Sequence, residues 1–268
     1  MPLWPYWNWC KRIRMDRKIA LLIEYDGTKY YGFQYQPNYP TIQGEIENAL
    51  NNLNLSTERI EGAGRTDTGV HAKGQIASFV TNTNLNIKDI ESGINHFLPS
   101  DIAVQKAYET PITFSPRRDA ISRRYRYTFL NRPTRSPLSE RYAYRVSKHI
   151  NVDKMTKALF ALKGTHDFVN LCGKYNGSTV RNIMDVSINI DDERLYIDLE
   201  ANAFLPHQVR RTAGLLYQVG LNKFDSEEVE KLIDIDNQIT RPNIPTLPAC
   251  GLVLLKVKYK DMFEYDYY

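Results

Sequence analysis

The stretch from Glu61 to Gly74, Glu-Gly-Ala-Gly-Arg-Thr-Asp-Thr-Gly-Val-His-Ala-Lys-Gly, runs into the apolar segment Ile76-Ala77-Ser78-Phe79-Val80. That junction constrains the fold more than any other part of the chain. Glycines at 62, 64, 69 and 74 permit sharp turns and close approach of backbone to a ligand. The apolar run reads as a strand that anchors the loop on a sheet. The loop carries one acid, Asp67, between the hydroxyls of Thr66 and Thr68, with the Arg65 guanidinium close before it. A neighbouring guanidinium favours the ionised carboxylate and orients it, which suits an acid that does chemistry. A plain polar turn has the same spacing, so both readings stand on this stretch alone. Two nucleotide-binding readings fail. Asp67 replaces the third glycine of a dinucleotide fingerprint and a strand follows where a helix is required, and the chain has no Gly-Lys-Ser or Gly-Lys-Thr for a P-loop.

The chain of 268 residues can bury a sizeable core as one large domain or two modest ones. A net charge of +4 is mildly basic, short of the excess of a histone-like binder. Cys10, Cys172 and Cys250 lie far apart without a Cys-x-x-Cys pair, and the five histidines lack ligand spacing, so neither zinc nor a disulfide framework is indicated. A reducing cytosol fits this cysteine usage, and no apolar run is long enough to span a membrane. Trp4, Trp7 and Trp9 crowd an N-terminal extension, residues 1–16, ahead of the first regular element, with Met15 an alternative start.

Lys18–Tyr25 reads as a strand ended by Asp26-Gly27, and Thr41 as the cap of a helix with Ile42, Ile46, Ala49, Leu50 and Leu53 on one face. After the Asp67 loop and the Ile76 strand, Ile87–Phe97 reads as a helix and Ile102–Tyr108 as a strand. That order matches a ferredoxin-like antiparallel sheet with helices on one face. It gives an N-terminal unit over 17–112 and a C-terminal unit over 113–268. The C-terminal unit opens with Arg117, Arg118, Arg123, Arg124 and Arg126 interleaved with Tyr125 and Tyr127. Alternation puts Arg123, Tyr125 and Tyr127 on one face of a strand and Arg124 and Arg126 on the other. Cations beside stacking aromatics suit RNA, and a solvated edge strand has the same composition. A helix over Asp153–Leu162, an amphipathic hairpin through Met184–Ile190 and Leu195–Ala201, a helix ending near Gly220, another over Ser226–Ile235 and a strand over Gly251–Tyr259 complete the pattern. His166-Asp167 has no nucleophile signature beside it and reads as structural. The second half has the same mixture of elements as the first, consistent with a pseudo-repeat whose sequence similarity is not visible; the expected fold class, together with the resemblance given next, is α+β, two related ferredoxin/RRM-like subdomains with mostly antiparallel sheets and a central cleft.

Gly64-Arg65-Thr66-Asp67-x-Gly69-Val70-His71-Ala72 closely resembles the active-site signature of the tRNA pseudouridine synthase A (TruA) family. Glu24-Tyr25-Asp26-Gly27-Thr28, Arg123-Arg124-Tyr125-Arg126-Tyr127, His166-Asp167-Phe168, Val209-Arg210 and Gly251-Leu252 resemble further family elements, from about Lys18 to Tyr259. Phe33, Thr68, Pro206 and Gln208 depart from the usual residues. The resemblance implies Asp67 as the catalytic acid, Tyr125 against the target nucleotide, Arg210 (or Arg211, one register on) paired with Asp67, and Leu252 beneath the base. Arg65 joins the nucleotide site, and Arg123, Arg124, Arg126 and Lys73 are the RNA-binding cations. It further implies a cytoplasmic homodimer acting on tRNA in the anticodon stem-loop, 3′ of the anticodon, without cofactor, metal or membrane. Two competing readings are an inactive RNA-binding module and a small-molecule hydrolase with Asp67 as nucleophile.

Overall fold

The apolar run after the glycine-rich loop is the interior of a strand, β3 (His71–Thr81), that begins as soon as the loop ends. The structure, a computed structural model, describes residues 16–55, 58–234, 243–260 and 263. The tryptophan-rich extension, Asp16 apart, lies outside the described residues.

β1 (Arg17–Tyr25) pairs antiparallel with β3 on one side and with β4 (Ile102–Thr110) on the other. Every residue from Ile19 to Ile23 is buried, which is why this strand reads as an unbroken apolar run instead of an alternation. α1 (Ile42–Asn52) begins where the Thr41 side chain accepts from the Gly44 amide, and α2 (Ile87–Phe97) where Asn86 accepts from the Asp89 amide. Each helix turns its isoleucines inward: Ile42 and Ile46 on the first, Ile90 and Ile94 on the second. β2 is the two-residue Glu61–Gly62 bridge to β3.

The second half contains β5 (Ala120–Asn131), β6 (Tyr144–Val146), α3 (Val152–Ala161), β7 (Gly164–Asp167), β8 (Val180–Asp191), β9 (Arg194–Ala201), α4 (Gln208–Gly220), α5 (Ser226–Ile233) and β10 (Leu252–Tyr259). β8 and β9 form the amphipathic hairpin read from the alternation, with Asp192 taking a left-handed φ of 54° at its turn. Strand order is β4-β1-β3-β10-β5-β9-β8-β7, with β6 alongside β5. The architecture is therefore α+β with a mostly antiparallel sheet. The sheets of the two halves are continuous, and β10 makes them so. It lies parallel to β3 through His71–Val253 and Ala72–Leu254, and antiparallel to β5, where Leu254 faces Tyr125 and Leu252 faces Tyr127. The Asp67 loop thus enters the sheet at the seam, and the cleft lies along it.

Candidate active site

The loop ahead of β3 is held from below by its own backbone. Gly69 adopts φ +79° and Gly32 φ +87°, conformations costly for residues with a side chain. A Cβ on Gly32 would sit 2.6 Å from the Thr66 carbonyl, so the two segments can touch only with glycine there. The Phe33 amide donates to Thr66 O (3.2 Å), the Gly69 amide to Tyr30 O (3.2 Å) and the Gln75 side-chain amide to Gly64 O (2.9 Å). The Thr66 hydroxyl turns inward, 2.9 Å from the hydroxyl of buried Tyr25, whose phenol burial pushes up to about 12. With Thr66 tied down, Asp67 projects into the cleft with 29% of its side chain exposed.

Two side chains from the start of α4 meet that carboxylate. Arg210 Nη1 donates to Asp67 Oδ2 at 2.9 Å, and His207 Nδ1 lies 2.9 Å from the same oxygen. Arg210 Nε donates to Leu247 O at 2.7 Å, which fixes the guanidinium plane. Arg211 takes neither role; its guanidinium donates to Asn170 O at 3.3 Å. The expectation that Arg65 orients Asp67 is corrected here. Arg65 is exposed on the cleft rim, and the guanidinium on Asp67 comes from Arg210, 143 positions further along the chain. Sequence proximity is no guide because Thr66 is anchored inward, leaving its two neighbours to point independently. Nor do the flanking hydroxyls serve Asp67: Thr66 is engaged with Tyr25, and Thr68 is exposed.

The cleft has a volume of about 660 Å³ and brings together Arg65, Asp67, Arg123, Tyr125, Arg210 and Leu252. Tyr125 is buried, packs edge-on against Phe204 at 5.2 Å between centroids, and has its phenol pushed up by burial, then by Tyr25 and Asp67. Leu252, the first residue of β10, is buried in the same wall. Arg123 faces the cleft side, and its guanidinium donates to the carbonyls of Ala63, Arg117, Ala120 and Asn202, so it works as a strut between loop and sheet. Arg124 and Arg126 leave the opposite face and share Asp198 of β9, which is only 3% exposed. They are not brought to the cleft. Lys73 is exposed on β3 outside the lining. Arg117 of the basic cluster lines the mouth with Tyr175 and Arg181, two residues that the sequence did not single out for a site.

Behind the loop, His71 is buried and its Nδ1 accepts from the Gly27 amide at 3.1 Å. Burial pushes its imidazole down, against the pull of Asp26, whose Oδ1 is 3.1 Å away. Among the described residues no three or more His, Cys, Asp or Glu side chains gather as metal ligands would, and no helix is long and apolar enough to cross a membrane.

Comparison with known proteins sets the class. Residues 21–117 and 158–260 match the sequence profile of the family described as tRNA pseudouridine synthase. The protein named tRNA pseudouridine synthase A from Geobacter sp. (strain M21) is 39% identical over 250 residues, covering 91% of this chain and 100% of its own length. Its namesake from Thermoanaerobacter sp. (strain X514) is 37% identical with the same coverage, and that from Roseiflexus castenholzii 40% identical over 91% of this chain and 92% of its own. The chain belongs to the tRNA pseudouridine synthase A family and is, with that family, a pseudouridine-forming isomerase.

Proposed function

We propose that this isomerase acts on uridines of the anticodon stem-loop, 3′ of the anticodon, with Asp67 as the catalytic aspartate. The observation that carries the reading is the convergence of Asp67, Tyr125, Arg210 and Leu252, from segments remote in sequence, on one open cleft. The reaction breaks the N1–C1′ bond, turns the uracil and joins C5 to C1′, with loss of the C5 proton and reprotonation at N1. Asp67 serves either as nucleophile or as the base at C2′. Both roles need a fixed carboxylate, which the Arg210 guanidinium orients.

Tyr125 stacks on the uracil as a neutral ring, since burial keeps its phenol protonated through the physiological range. The target base must leave its stack at a cost of roughly a few kcal/mol. Phosphate contacts from exposed cations at the rim, Arg65 and Arg117 among them, offset that cost and weaken with salt. A homodimer in which each tRNA touches both protomers completes the proposal.

The test is pseudouridine formation on tRNA transcripts by Asp67→Ala. It should bind tRNA with near wild-type affinity and form no product. Product at the wild-type rate would end the assignment, and turnover of small esters or phosphates without RNA would favour a hydrolase.

A further inference from the structure

We infer that His207 is a positioning residue for Asp67, the second of two donors that immobilise one carboxylate oxygen and leave the other for the reaction. The inference rests on the catalytic role proposed for Asp67. Arg210 reaches Asp67 through one nitrogen, Nη1 to Oδ2 at 2.9 Å, while its Nε serves Leu247 O. A carboxylate held by one donor still turns about its Cβ–Cγ bond. His207 Nδ1, 2.9 Å from Oδ2, removes that freedom, and Oδ1 takes no hydrogen bond among the described residues. Donation requires the proton on Nδ1.

Two features of the local structure fit this role. His207 is the residue before α4, where Ser, Thr, Asp or Asn normally accepts from the first amides, yet its side chain makes no such cap. Its backbone is left-handed, φ 59°, a conformation that non-glycine residues adopt at a cost and that recurs at functional sites. The left-handed residue is the third of the Leu205–Gln208 turn, which the Gln208 amide closes on Leu205 O at 3.1 Å, and the uncapped imidazole lies against Asp67 instead. Independently, the chain leaves room for the ring. Gly173, whose amide donates to Pro206 O at 2.8 Å, lies so close that a Cβ there would stand 2.7 Å from His207 Cδ2. That atom is the end of a movable side chain, so Gly173→Ala displaces the imidazole without requiring the backbone to move.

The experiment is steady-state kinetics of full-length protein on a tRNA transcript, with Tm measured in parallel, for His207→Gly, His207→Asn and Gly173→Ala. Glycine takes the left-handed backbone freely, so His207→Gly deletes the donor without adding strain. Asparagine also tolerates that backbone and places an amide donor close to the position of Nδ1. Losing a hydrogen bond to a charged group should lower kcat about tenfold or more in His207→Gly, with KM for tRNA within about twofold. His207→Asn should recover most of the rate, and Gly173→Ala should lie between, with Tm unchanged. Wild-type kcat in His207→Gly, a loss confined to KM, or His207→Asn no better than His207→Gly would each overturn the assignment. A wild-type protein that forms no pseudouridine would remove the functional reading and this inference together; wild-type turnover indifferent to His207 removes the inference alone.

Discussion

Replacing Arg210 with methionine separates what the guanidinium does for catalysis from what it does for the fold. Methionine keeps the length of the stem and removes two donors. One serves Asp67 Oδ2 at 2.9 Å, the other Leu247 O at 2.7 Å. A hydrogen bond to a charged group contributes about 1.5–3 kcal/mol. Because Asp67 is 29% exposed and Arg210 16%, solvent screens part of this, and about 2 kcal/mol is the fitting figure. Spent in the transition state, that is a fall in kcat/KM of about thirtyfold. The orphaned Leu247 carbonyl contributes a separate loss of about 1 kcal/mol to stability, a Tm lower by roughly 2–4 °C. The assay is release of tritium from C5-labelled uridine in a tRNA transcript, with Tm by circular dichroism on the same samples. Arg210→Lys, a point charge that cannot serve both oxygens, should fall between methionine and wild type. A methionine variant that melts lower yet keeps wild-type kcat/KM would refute the reasoning, because the guanidinium would then be a strut and nothing more.

Tyr125→Phe should keep most of the activity, because the phenol is held neutral and used as a ring, whereas Tyr125→Ala should lose rate more than tRNA affinity; a dead phenylalanine variant in the tritium assay would return the hydroxyl to the chemistry. Asp198→Asn leaves Arg126 (35% exposed) without its carboxylate and Arg124 (32% exposed) with only the more distant Asp185 and Glu200, and should lower stability in urea by about 2 kcal/mol while kcat at low temperature is unchanged. Stability should decline in two steps on acidification. His71 is pushed down by burial, so below about pH 6.5 the unfolded chain takes a proton that the folded one resists. Burial works to raise Asp26, but hydrogen bonds from Thr28 and Tyr142 outweigh it and hold the carboxyl at about 2, so its contribution is lost as pH falls from about 4 toward 2. Urea midpoints against pH should show His71→Gln abolishing the first step and sparing the second.

The parts of the fold legible in the sequence were those written in local periodicity and capping. α2 occupies Ile87–Phe97, the residues that its isoleucine spacing delimits, and Thr41 caps α1 as its position suggests. The β8–β9 hairpin was legible because alternation of apolar and polar residues survives wherever one face of a sheet meets water. What local pattern cannot carry is pairing between distant strands. The short β6 and β7 and the parallel contact of β3 with β10 leave no periodic trace. The same limit applied to the site. Resemblance to a family pointed to Arg210 beside Asp67, whereas adjacency pointed to Arg65, and only the folded chain brings the former to the carboxylate. His207 was passed over because an imidazole before a helix has no spacing signature; the absence of a capping residue at that position was the one signal available. Arg124 and Arg126 were placed on the face away from Tyr125 by alternation, and Asp198 between them is the partner that composition alone could not name.

The joining of His71 to Val253 and of Ala72 to Leu254 has a consequence for the order in which the protein comes into being. The last of the described strands to leave the ribosome is wedged between two made much earlier, and each of those keeps an open edge until it arrives. Closing so long a loop is slow, so maturation should end with this insertion. A nascent chain lacking those residues has its acid and no finished wall opposite it, which ties the onset of activity to the synthesis of β10.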